Sequence, residues 1–190
     1  GFGSHHARLY GRMDGVEVVR IFGRSEEKRK RVENELGIPT TRRAADILND
    51  PAIDLVDVCL PTSVHTEYVL EALKRGKHVF CETPLCYSPG EIEAIRAAEQ
   101  RSGRRVFADL FAKFVPEFRY VRDSIRENTY GALKSFTIAR KTPPIWGSLG
   151  LDRIVLNLMI HDLDVSVWLL GVPRETRAAG VSLGGDKAHV

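Results

Sequence analysis

Short apolar segments alternate with amphipathic ones along the first half of the chain. The apolar runs predict buried strands over residues 16–22, 55–60, 78–81 and 106–108. Between them, polar and apolar positions repeat with helical spacing and predict helices over residues 4–13, 26–36, 43–49, 65–75 and 89–101. Such alternation of strands and helices indicates an α/β fold, in which a parallel sheet is connected by right-handed crossovers.

The pattern changes after about residue 110. Helices are predicted over 117–127 and within 151–170, with a strand over 133–140 and a turn at Pro143-Pro144 between them. We therefore place a domain boundary here, which gives a first domain of residues 1–110 and a partial second domain of α+β type over residues 111–190. The clearest helix start in the first domain is Ser88-Pro89-Gly90-Glu91, with a serine cap, a proline at the first helical position and a glutamate three residues after the cap.

Two polar motifs follow neighbouring strands of the predicted sheet. Pro61-Thr62-Ser63-Val64-His65 comes directly after the strand over 55–60, and Glu82-Thr83-Pro84 comes directly after the strand over 78–81. The carboxyl ends of parallel strands meet at one edge of a sheet, and open α/β sheets bind their ligands at that edge. The sequence therefore predicts a ligand site where these two motifs meet.

Charge and composition argue against several classes of function. The formal net charge is only +3, and basic residues alternate with acidic ones over 25–33, which favours a solvated helix surface over a nucleic-acid-binding stripe. No run of about twenty apolar residues indicates a membrane span. Cys59, Cys81 and Cys86 lie on or beside predicted core strands, as expected of buried thiols in a cytoplasmic protein. No spacing of potential ligands indicates a metal site.

The order of the motifs resembles the dehydrogenase family typified by glucose-fructose oxidoreductase and inositol dehydrogenase (Gfo/Idh/MocA). Besides the two motifs above, the resemblance depends on five segments: Gly76-Lys77-His78-Val79-Phe80, Phe114-Val115-Pro116, Tyr130-Gly131-Ala132-Leu133-Lys134-Ser135, Ile160-His161-Asp162-Leu163-Asp164 and Trp168-Leu169-Leu170-Gly171. It covers nearly the whole chain and implies a Rossmann-like NAD(P)-binding domain followed by a substrate domain. Because family members are longer, we also expect a first strand and most of the second domain's sheet to be missing from this sequence.

The resemblance places a dinucleotide at the start of the first helix. Gly1-Phe2-Gly3 would be the turn whose backbone amides bind a pyrophosphate, with an ordinary loop as the alternative. NAD-preferring enzymes place an acid after the second strand, whereas this chain has Arg24-Ser25, and an arginine pairs with a 2′-phosphate. We therefore expect NADP as the cofactor, with NAD as the alternative; a solvent-facing Arg24 before a helix cap would also explain the pattern.

The two motifs at the sheet edge complete the expected cofactor site. By resemblance, the cofactor contacts come from six residues: Pro61, Thr62, His65, Glu82, Thr83 and Pro84. A purely structural role is compatible with this assignment, because a proline commonly ends a strand and a threonine or serine commonly caps a helix.

The match to the family breaks at the expected reaction site. The family has a lysine where this chain has Thr83, and an aspartate where it has Asn157, four residues before a shared histidine, His161. Threonine and asparagine can orient a substrate hydroxyl but do not take its proton, whereas histidine does. Such acid/base catalysis accelerates the reaction roughly 10²- to 10⁴-fold. We expect His161 to be the acid/base group, although a buried structural histidine is the alternative. Lys113 would replace the lost lysine, bind a substrate carboxylate or have a purely structural role.

The resemblance, together with these residues, implies an NADP-dependent oxidoreductase that acts on a sugar, a cyclitol or a related carbonyl compound. Two alternatives stay open. One is a nucleotide-binding regulator or scaffold that has lost turnover, and the other is a glycosidase in which a bound nicotinamide transiently oxidises the sugar. The expected partner is a sugar-like small molecule, with no nucleic acid or membrane, and the resemblance implies a homo-oligomer for the full-length form.

Overall fold

The computed structural model describes residues 1–141, 151–182 and 188–190, apart from the side chains of 152, 188 and 189. The chain divides into two compact units, Gly1–Asp109 and Leu110–Val190. The predicted turn at Pro143-Pro144 lies outside the described residues. In the described part of the chain, no helix is long and apolar enough to cross a membrane.

Helices and strands alternate in the first unit. Its helices are α1 Phe2–Tyr10, α2 Glu26–Leu36, α3 Ala45–Leu48, α4 His65–Lys74 and α5 Pro89–Ser102. Its strands are β1 Ile21–Phe22, β2 Thr40–Thr41, β3 Leu55–Val58, β4 His78–Cys81 and β5 Val106–Ala108. A turn of 3₁₀-helix, Thr62–Val64, leads into α4.

All strand pairs of the first unit are parallel. β1 pairs with β2, and β3, β4 and β5 form a three-stranded sheet in that order. Leu55 lies opposite His78, and Val79 lies opposite Val106. The predicted α/β fold with a parallel sheet is therefore confirmed.

Local sequence signals explain where the best-defined helix begins and ends. The Ser88 hydroxyl accepts a hydrogen bond from the Glu91 amide at 3.3 Å, and the Glu91 carboxylate accepts one from the Ser88 amide at 3.0 Å. Pro89 occupies the first turn of α5, where its missing amide costs nothing. The helix ends at Gly103, whose φ of 67° lies in the left-handed region that favours glycine. The predicted start of α5 is confirmed.

The core of the first unit forms between the three-stranded sheet and helices α4 and α5. Its most deeply buried side chains are Val58, Val69, Leu73, Val79, Cys81 and Ile95. Full burial of a side chain such as Leu73 stabilises the fold by about 1.5–3 kcal/mol. The core also buries Lys77, whose ammonium donates hydrogen bonds to the carbonyl oxygens of Asp50 and Ile53 at 2.6 and 2.7 Å. Those two bonds compensate for the burial of its charge.

The first helix and the first strand differ from the sequence prediction. Helix α1 begins at Phe2 and ends at Tyr10, whereas a helix over 4–13 was expected. Strand β1 covers only Ile21–Phe22 instead of 16–22. Its register explains the short length, because Ile21 and Phe22 pair with the two residues of β2 and β2 extends no further. Apolar patterning shows which segments favour strands, but pairing decides how much of each becomes one.

The second unit is largely helical in its described part. Its elements are a 3₁₀ turn at Phe111–Phe114, α6 Pro116–Arg126, α7 Leu151–Ile154, a π-helical segment Val155–Met159, α8 Ile160–Leu170, and the antiparallel strands β6 Val181–Ser182 and β7 Ala188–His189. The prediction of a strand over 133–140 is wrong, since those residues form no strand. No described segment pairs with them, and a strand needs a neighbour for its backbone hydrogen bonds.

The helical region predicted within 151–170 is present, but it is not one continuous α-helix. The five-residue π segment separates α7 from α8 and places Asn157 at its centre. A π segment adds a residue to the helical turn and changes which side chains share a face, and such segments occur frequently at functional sites. His161 follows as the second residue of α8.

Candidate functional site

His65 brings the two motifs at the sheet edge together in the first unit. Its ring Nδ1 lies 3.0 Å from the carbonyl oxygen of Pro84, and its Nε2 lies 2.6 Å from that of Leu60. The side chain is only 1% exposed. His65 therefore ties the end of the β3 segment to the Glu82-Thr83-Pro84 motif, and both of its ring nitrogens are engaged in doing so.

Pro61 and Thr62 form the turn between strand β3 and helix α4. Pro61 is extended, with φ of −61° and ψ of 139°, and caps the 3₁₀ turn that Thr62 begins. Helix α4 has Val64 as its N-cap and no side-chain capping bond. Strand β3 ends at Val58, three residues before Pro61, so the proline does not itself end the strand, and capping of α4 by Thr62 or Ser63 is not observed.

Glu82 holds the neighbouring backbone with its carboxylate. The Thr83 amide donates a hydrogen bond to Glu82 Oε2 at 3.2 Å, and Glu82 Oε1 lies 3.3 Å from His6 Nε2. Burial raises the pKa of the Glu82 carboxyl above its usual range, and the charges of Asp109 and Asp57 raise it further. The Thr83 amide and His6 act in the opposite direction.

His6 is a residue that the sequence analysis missed. It lies on α1, is 9% exposed, and its Nδ1 is 2.9 Å from the Asp57 carboxylate. The Tyr10 hydroxyl donates to the same carboxylate at 3.0 Å, and Asp109 lies 4.0 Å from His6 Nε2. One signal was available: Asp57 interrupts an apolar strand, and a buried carboxylate requires a partner.

The cluster around His6 also contains a set of atoms with metal-ligand chemistry. Among the described residues, His6, Cys59 and Glu82 each place one potential ligand atom within 4.8 Å of the others. However, both ring nitrogens of His6 already face carboxylates. Burial, together with Asp57 and Glu82, also raises the pKa of the Cys59 thiol, which favours the protonated form over the thiolate that binds metals. As it stands, the arrangement is a hydrogen-bonded cluster.

Gly1, Phe2 and Gly3 form the beginning of α1. Gly1 is the N-cap, and Phe2 and Gly3 belong to the first helical turn. A Cβ atom on Gly3 would lie 3.5 Å from Cys59 Cβ, so the helix start approaches the end of strand β3 closely. The first-turn amides of a helix have no acceptor within it, and together with the helix dipole they favour an anion at this end.

The segment after β1 contains the arginine expected to select NADP. Arg24 is exposed, and its guanidinium forms no hydrogen bond or ion pair with any described residue. Ser25 caps α2 by accepting a hydrogen bond from the Lys28 amide at 3.4 Å. Arg29 donates to the carbonyl oxygens of Gly23 at 2.8 Å and Arg24 at 3.3 Å. Arg29 thereby fixes the backbone from which the Arg24 side chain projects.

The second unit contains the remaining predicted reaction residues. The His161 ring packs against Phe111, with ring centroids 4.9 Å apart. Lys113 Nζ donates to Asp164 Oδ1 at 3.0 Å. The other oxygen of that carboxylate, Asp164 Oδ2, and Asn157 Oδ1 are both buried and accept no hydrogen bond from any described residue. Two acceptors near His161 in sequence therefore have no donor within the described part of the chain.

Asp162 plays a different part from Asp164. Arg140 donates two hydrogen bonds to its carboxylate, each of 2.7 Å. This pair raises the pKa of the Arg140 guanidinium above its usual value. Asp162 therefore anchors Arg140 to α8.

The predicted site residues are divided between the two units. Thr83 belongs to the first unit, together with the predicted cofactor contacts at residues 1–3, 24–25, 61–65 and 82–84. Lys113, Asn157 and His161 belong to the second unit. In the second group, Asn157 and His161 lie on either side of the junction between the π segment and α8, and Lys113 lies on the 3₁₀ turn over Phe111–Phe114.

Comparison with known proteins identifies the family of this chain. A sequence model of an oxidoreductase family with an NAD-binding Rossmann fold, GFO_IDH_MocA, matches residues 1–110. The chain is 24% identical over 173 residues to a myo-inositol 2-dehydrogenase of Thermotoga maritima, covering 89% of this chain and 52% of that protein. It is 30% identical over 170 residues to an inositol 2-dehydrogenase of Pseudomonas savastanoi pv. phaseolicola, covering 88% and 51%.

A solved structure is similar over the same length. A 3-ketoreductase from Actinomadura kijaniata in complex with NADP superimposes with a TM-score of 0.77 at 25% identity, covering 87% of this chain and 51% of that one. The chain thus spans about half the length of the curated relatives it matches. The family match, which includes both motifs at the sheet edge, shows that the chain belongs to the GFO_IDH_MocA oxidoreductase family, with an NAD-binding Rossmann fold.

Proposed function

We propose that the full-length protein is an NADP-dependent oxidoreductase of a sugar, a cyclitol or a related carbonyl compound. Family membership supports oxidoreductase chemistry. Relatives named inositol 2-dehydrogenase support a polyhydroxylated ring as the kind of substrate, and the similar 3-ketoreductase is an NADP complex. Reduction of a ketone on such a ring and oxidation of the corresponding alcohol are the two directions of one reaction.

The residues of the first unit are suited to a dinucleotide. The start of α1 favours an anionic pyrophosphate, and the close approach of Gly3 to Cys59 keeps that helix against the sheet. Arg24 projects into solvent from a backbone that Arg29 holds in place, so its guanidinium can pair with a 2′-phosphate. Pro61, Thr62 and residues 82–84 would then line the nicotinamide end of the site.

One observation carries the assignment of the reaction residues. Asn157 lies within a π segment directly before α8, and its buried Oδ1 accepts no hydrogen bond from any described residue. A buried acceptor without a donor costs about 1–3 kcal/mol, so such an atom is expected to gain a donor when a ligand binds. A substrate hydroxyl is a donor of this kind, and Asn157 would orient it towards His161.

His161 would then move the proton of the reaction. When bound, NADP supplies the hydride acceptor for alcohol oxidation or, reduced, the hydride donor for ketone reduction. During oxidation His161 takes the hydroxyl proton, and during reduction it returns that proton to the carbonyl oxygen. Phe111 packs against the ring and limits its orientation. Thr83 would contribute a second hydrogen bond to the substrate.

A nucleotide-binding regulator is the second candidate. It is favoured by the presence of Thr83 and Asn157 where the family has a lysine and an aspartate, because neither side chain transfers a proton at neutral pH. The two candidates predict the same cofactor binding and differ in turnover. We also expect the full-length protein to be a homo-oligomer.

The test is a pair of measurements on full-length protein. Fluorescence titration with NADPH and NADH measures cofactor preference, and a single-turnover reaction of the bound NADPH with a panel of keto-inositols and keto-sugars measures hydride transfer. Preferential NADPH binding together with oxidation by at least one ketone supports the proposal. NADPH binding without oxidation by any ketone favours the regulator, and failure to bind either nucleotide contradicts both candidates.

A further inference from the structure

One imidazole links helix α1 to the Glu82-Thr83 segment. We propose that His6 is a positioning residue that couples the pyrophosphate end of the cofactor site to its nicotinamide end. The inference rests on the proposed function, in which the start of α1 binds the pyrophosphate and residues 82–84 line the nicotinamide. No direct contact between His6 and a ligand is needed for this coupling.

On one side, His6 fixes α1 to the sheet. Its Nδ1 hydrogen-bonds to the Asp57 carboxylate at 2.9 Å, one residue before the end of β3. Tyr10, one turn further along the same helix face, donates to the same carboxylate at 3.0 Å. The position of the helix start, where the pyrophosphate would bind, therefore depends on these two side chains.

On the other side, His6 fixes Glu82. The Glu82 carboxylate is shared, because Oε1 lies 3.3 Å from His6 Nε2 and Oε2 accepts the Thr83 amide at 3.2 Å. A displacement of the imidazole would release the first oxygen and allow the carboxylate to rotate away from the second bond. The backbone at Thr83 would then lose the contact that positions it.

Because of the charged groups around His6, the position of the Glu82 side chain depends on the imidazole. Asp57, Glu82 and Asp109 all lie within 4.0 Å of a His6 ring nitrogen, and the Cys59 thiol and Tyr10 hydroxyl complete the titratable groups there. Without the imidazole, the Asp57 and Glu82 carboxylates would lose the one group that contacts both, while Asp57 would keep the Tyr10 hydroxyl and Glu82 the Thr83 amide. Like charges in such surroundings repel and are poorly solvated, so the Glu82 side chain would reorient.

Cofactor fragments separate this coupling from a simple effect on folding. 2′-Phospho-ADP-ribose contains the pyrophosphate and the 2′-phosphate but lacks the nicotinamide, whereas NADPH contains all three. We would measure dissociation constants of both ligands for full-length wild type, His6→Gln, Glu82→Gln and the double variant. Tyr10→Phe is the matched control, because it removes a bond to Asp57 from the same helix without touching Glu82.

The expected result is a difference between the two ligands. His6→Gln should weaken NADPH binding about tenfold more than fragment binding, a coupling of ordinary size between sites. The same difference is expected for Glu82→Gln, and the double variant should lose no more than the larger single loss, because the residues act through one contact. Tyr10→Phe should change both affinities by the same factor.

Two results would overturn the inference. If His6→Gln weakens the binding of NADPH and of the fragment equally, the residue only positions α1. If the losses of NADPH affinity are additive in the double variant, His6 and Glu82 act independently. If His6→Gln does not fold, His6→Asn takes its place in the same comparison, alone and together with Glu82→Gln, because Glu82 itself lines the proposed nicotinamide site and its variant alone cannot test the coupling. Wild-type protein that binds neither ligand would instead remove the proposed function, and this inference with it.

Discussion

Lys113 and Asp164 form an ion pair in which the lysine Nζ lies 3.0 Å from Asp164 Oδ1. The aspartate side chain is only 18% exposed, and its second oxygen accepts no hydrogen bond from any described residue. A lysine held in this way keeps its position, which suits substrate anchoring better than proton transfer. Of the roles that the sequence left open for Lys113, we therefore favour anchoring.

Replacing Lys113 tests this role. We expect Lys113→Met to raise the substrate KM about tenfold while kcat changes by less than about threefold, because an anchoring contact contributes similarly to the ground state and the transition state. Steady-state kinetics with the best ketone substrate would measure both values. A fall of kcat by about 10²-fold or more would show instead that Lys113 transfers a proton.

His161→Asn should remove the acid/base group while preserving a side chain of similar size. We expect kcat to fall by roughly 10²- to 10⁴-fold, with the NADPH dissociation constant unchanged. His78→Asn is the control, because that histidine lies in β4, accepts the Arg105 amide through Nδ1 and belongs to no predicted site. Equal kcat values for the two variants would contradict the role assigned to His161.

Arg24 and Arg29 should affect cofactor choice differently. Arg24→Ala should weaken NADPH binding about tenfold and leave NADH binding nearly unchanged, since only NADPH has the 2′-phosphate. Arg29→Ala should weaken NADPH and also lower the melting temperature, because its guanidinium hydrogen-bonds to the Gly23 and Arg24 carbonyl oxygens. Lys30→Ala serves as the control, as Lys30 forms an exposed ion pair with Glu26. Parallel losses of NADPH and NADH affinity in Arg24→Ala would exclude 2′-phosphate recognition by this residue.

The Glu82 carboxyl predicts a pH dependence of stability. Its pKa is raised in the folded state, mainly by burial, so the folded protein holds this proton more tightly than the unfolded chain does. The contribution of Glu82 to the free energy of unfolding is therefore greatest below the ordinary carboxyl pKa and falls as pH rises through the raised value.

The dependence on Glu82 can be measured by comparing wild type with Glu82→Gln. Urea unfolding between pH 4 and pH 8 gives the free energy of unfolding of each protein. Relative to wild type, the variant should gain stability as pH rises, because glutamine does not ionise. A difference between the two proteins that stays constant over this interval, or changes in the opposite sense, would contradict the raised pKa.

The features that the sequence predicts well are those set by local chemistry. Ser88, Pro89 and Glu91 mark the start of α5 because each satisfies or removes a backbone donor within one turn. The meeting of residues 61–65 with 82–84 also follows from the sequence, since parallel strands end at the same edge. His65 provides the contact that joins them.

Features that depend on distant partners were not predictable in the same way. His6 and Asp57 are 51 positions apart, so a carboxylate within an apolar strand indicates that a partner exists but nothing near Asp57 identifies it as His6. Residues 133–140 have a suitable pattern for a strand, but no described strand lies beside them. The π segment around Asn157 likewise leaves no signal in the helical pattern, because adding one residue to a turn depends on the packing around it.

Transfer of a label from the cofactor to a substrate tests the central claim most directly. Full-length protein would be incubated with NADPH deuterated at both positions of the nicotinamide C4 and with each keto-inositol and keto-sugar of the panel, and the products analysed by mass spectrometry. We predict a product alcohol that carries one deuterium on the reduced carbon, formed much more slowly by His161→Asn. Tight NADPH binding without deuterium in any product would contradict the oxidoreductase assignment and leave a nucleotide-binding regulator.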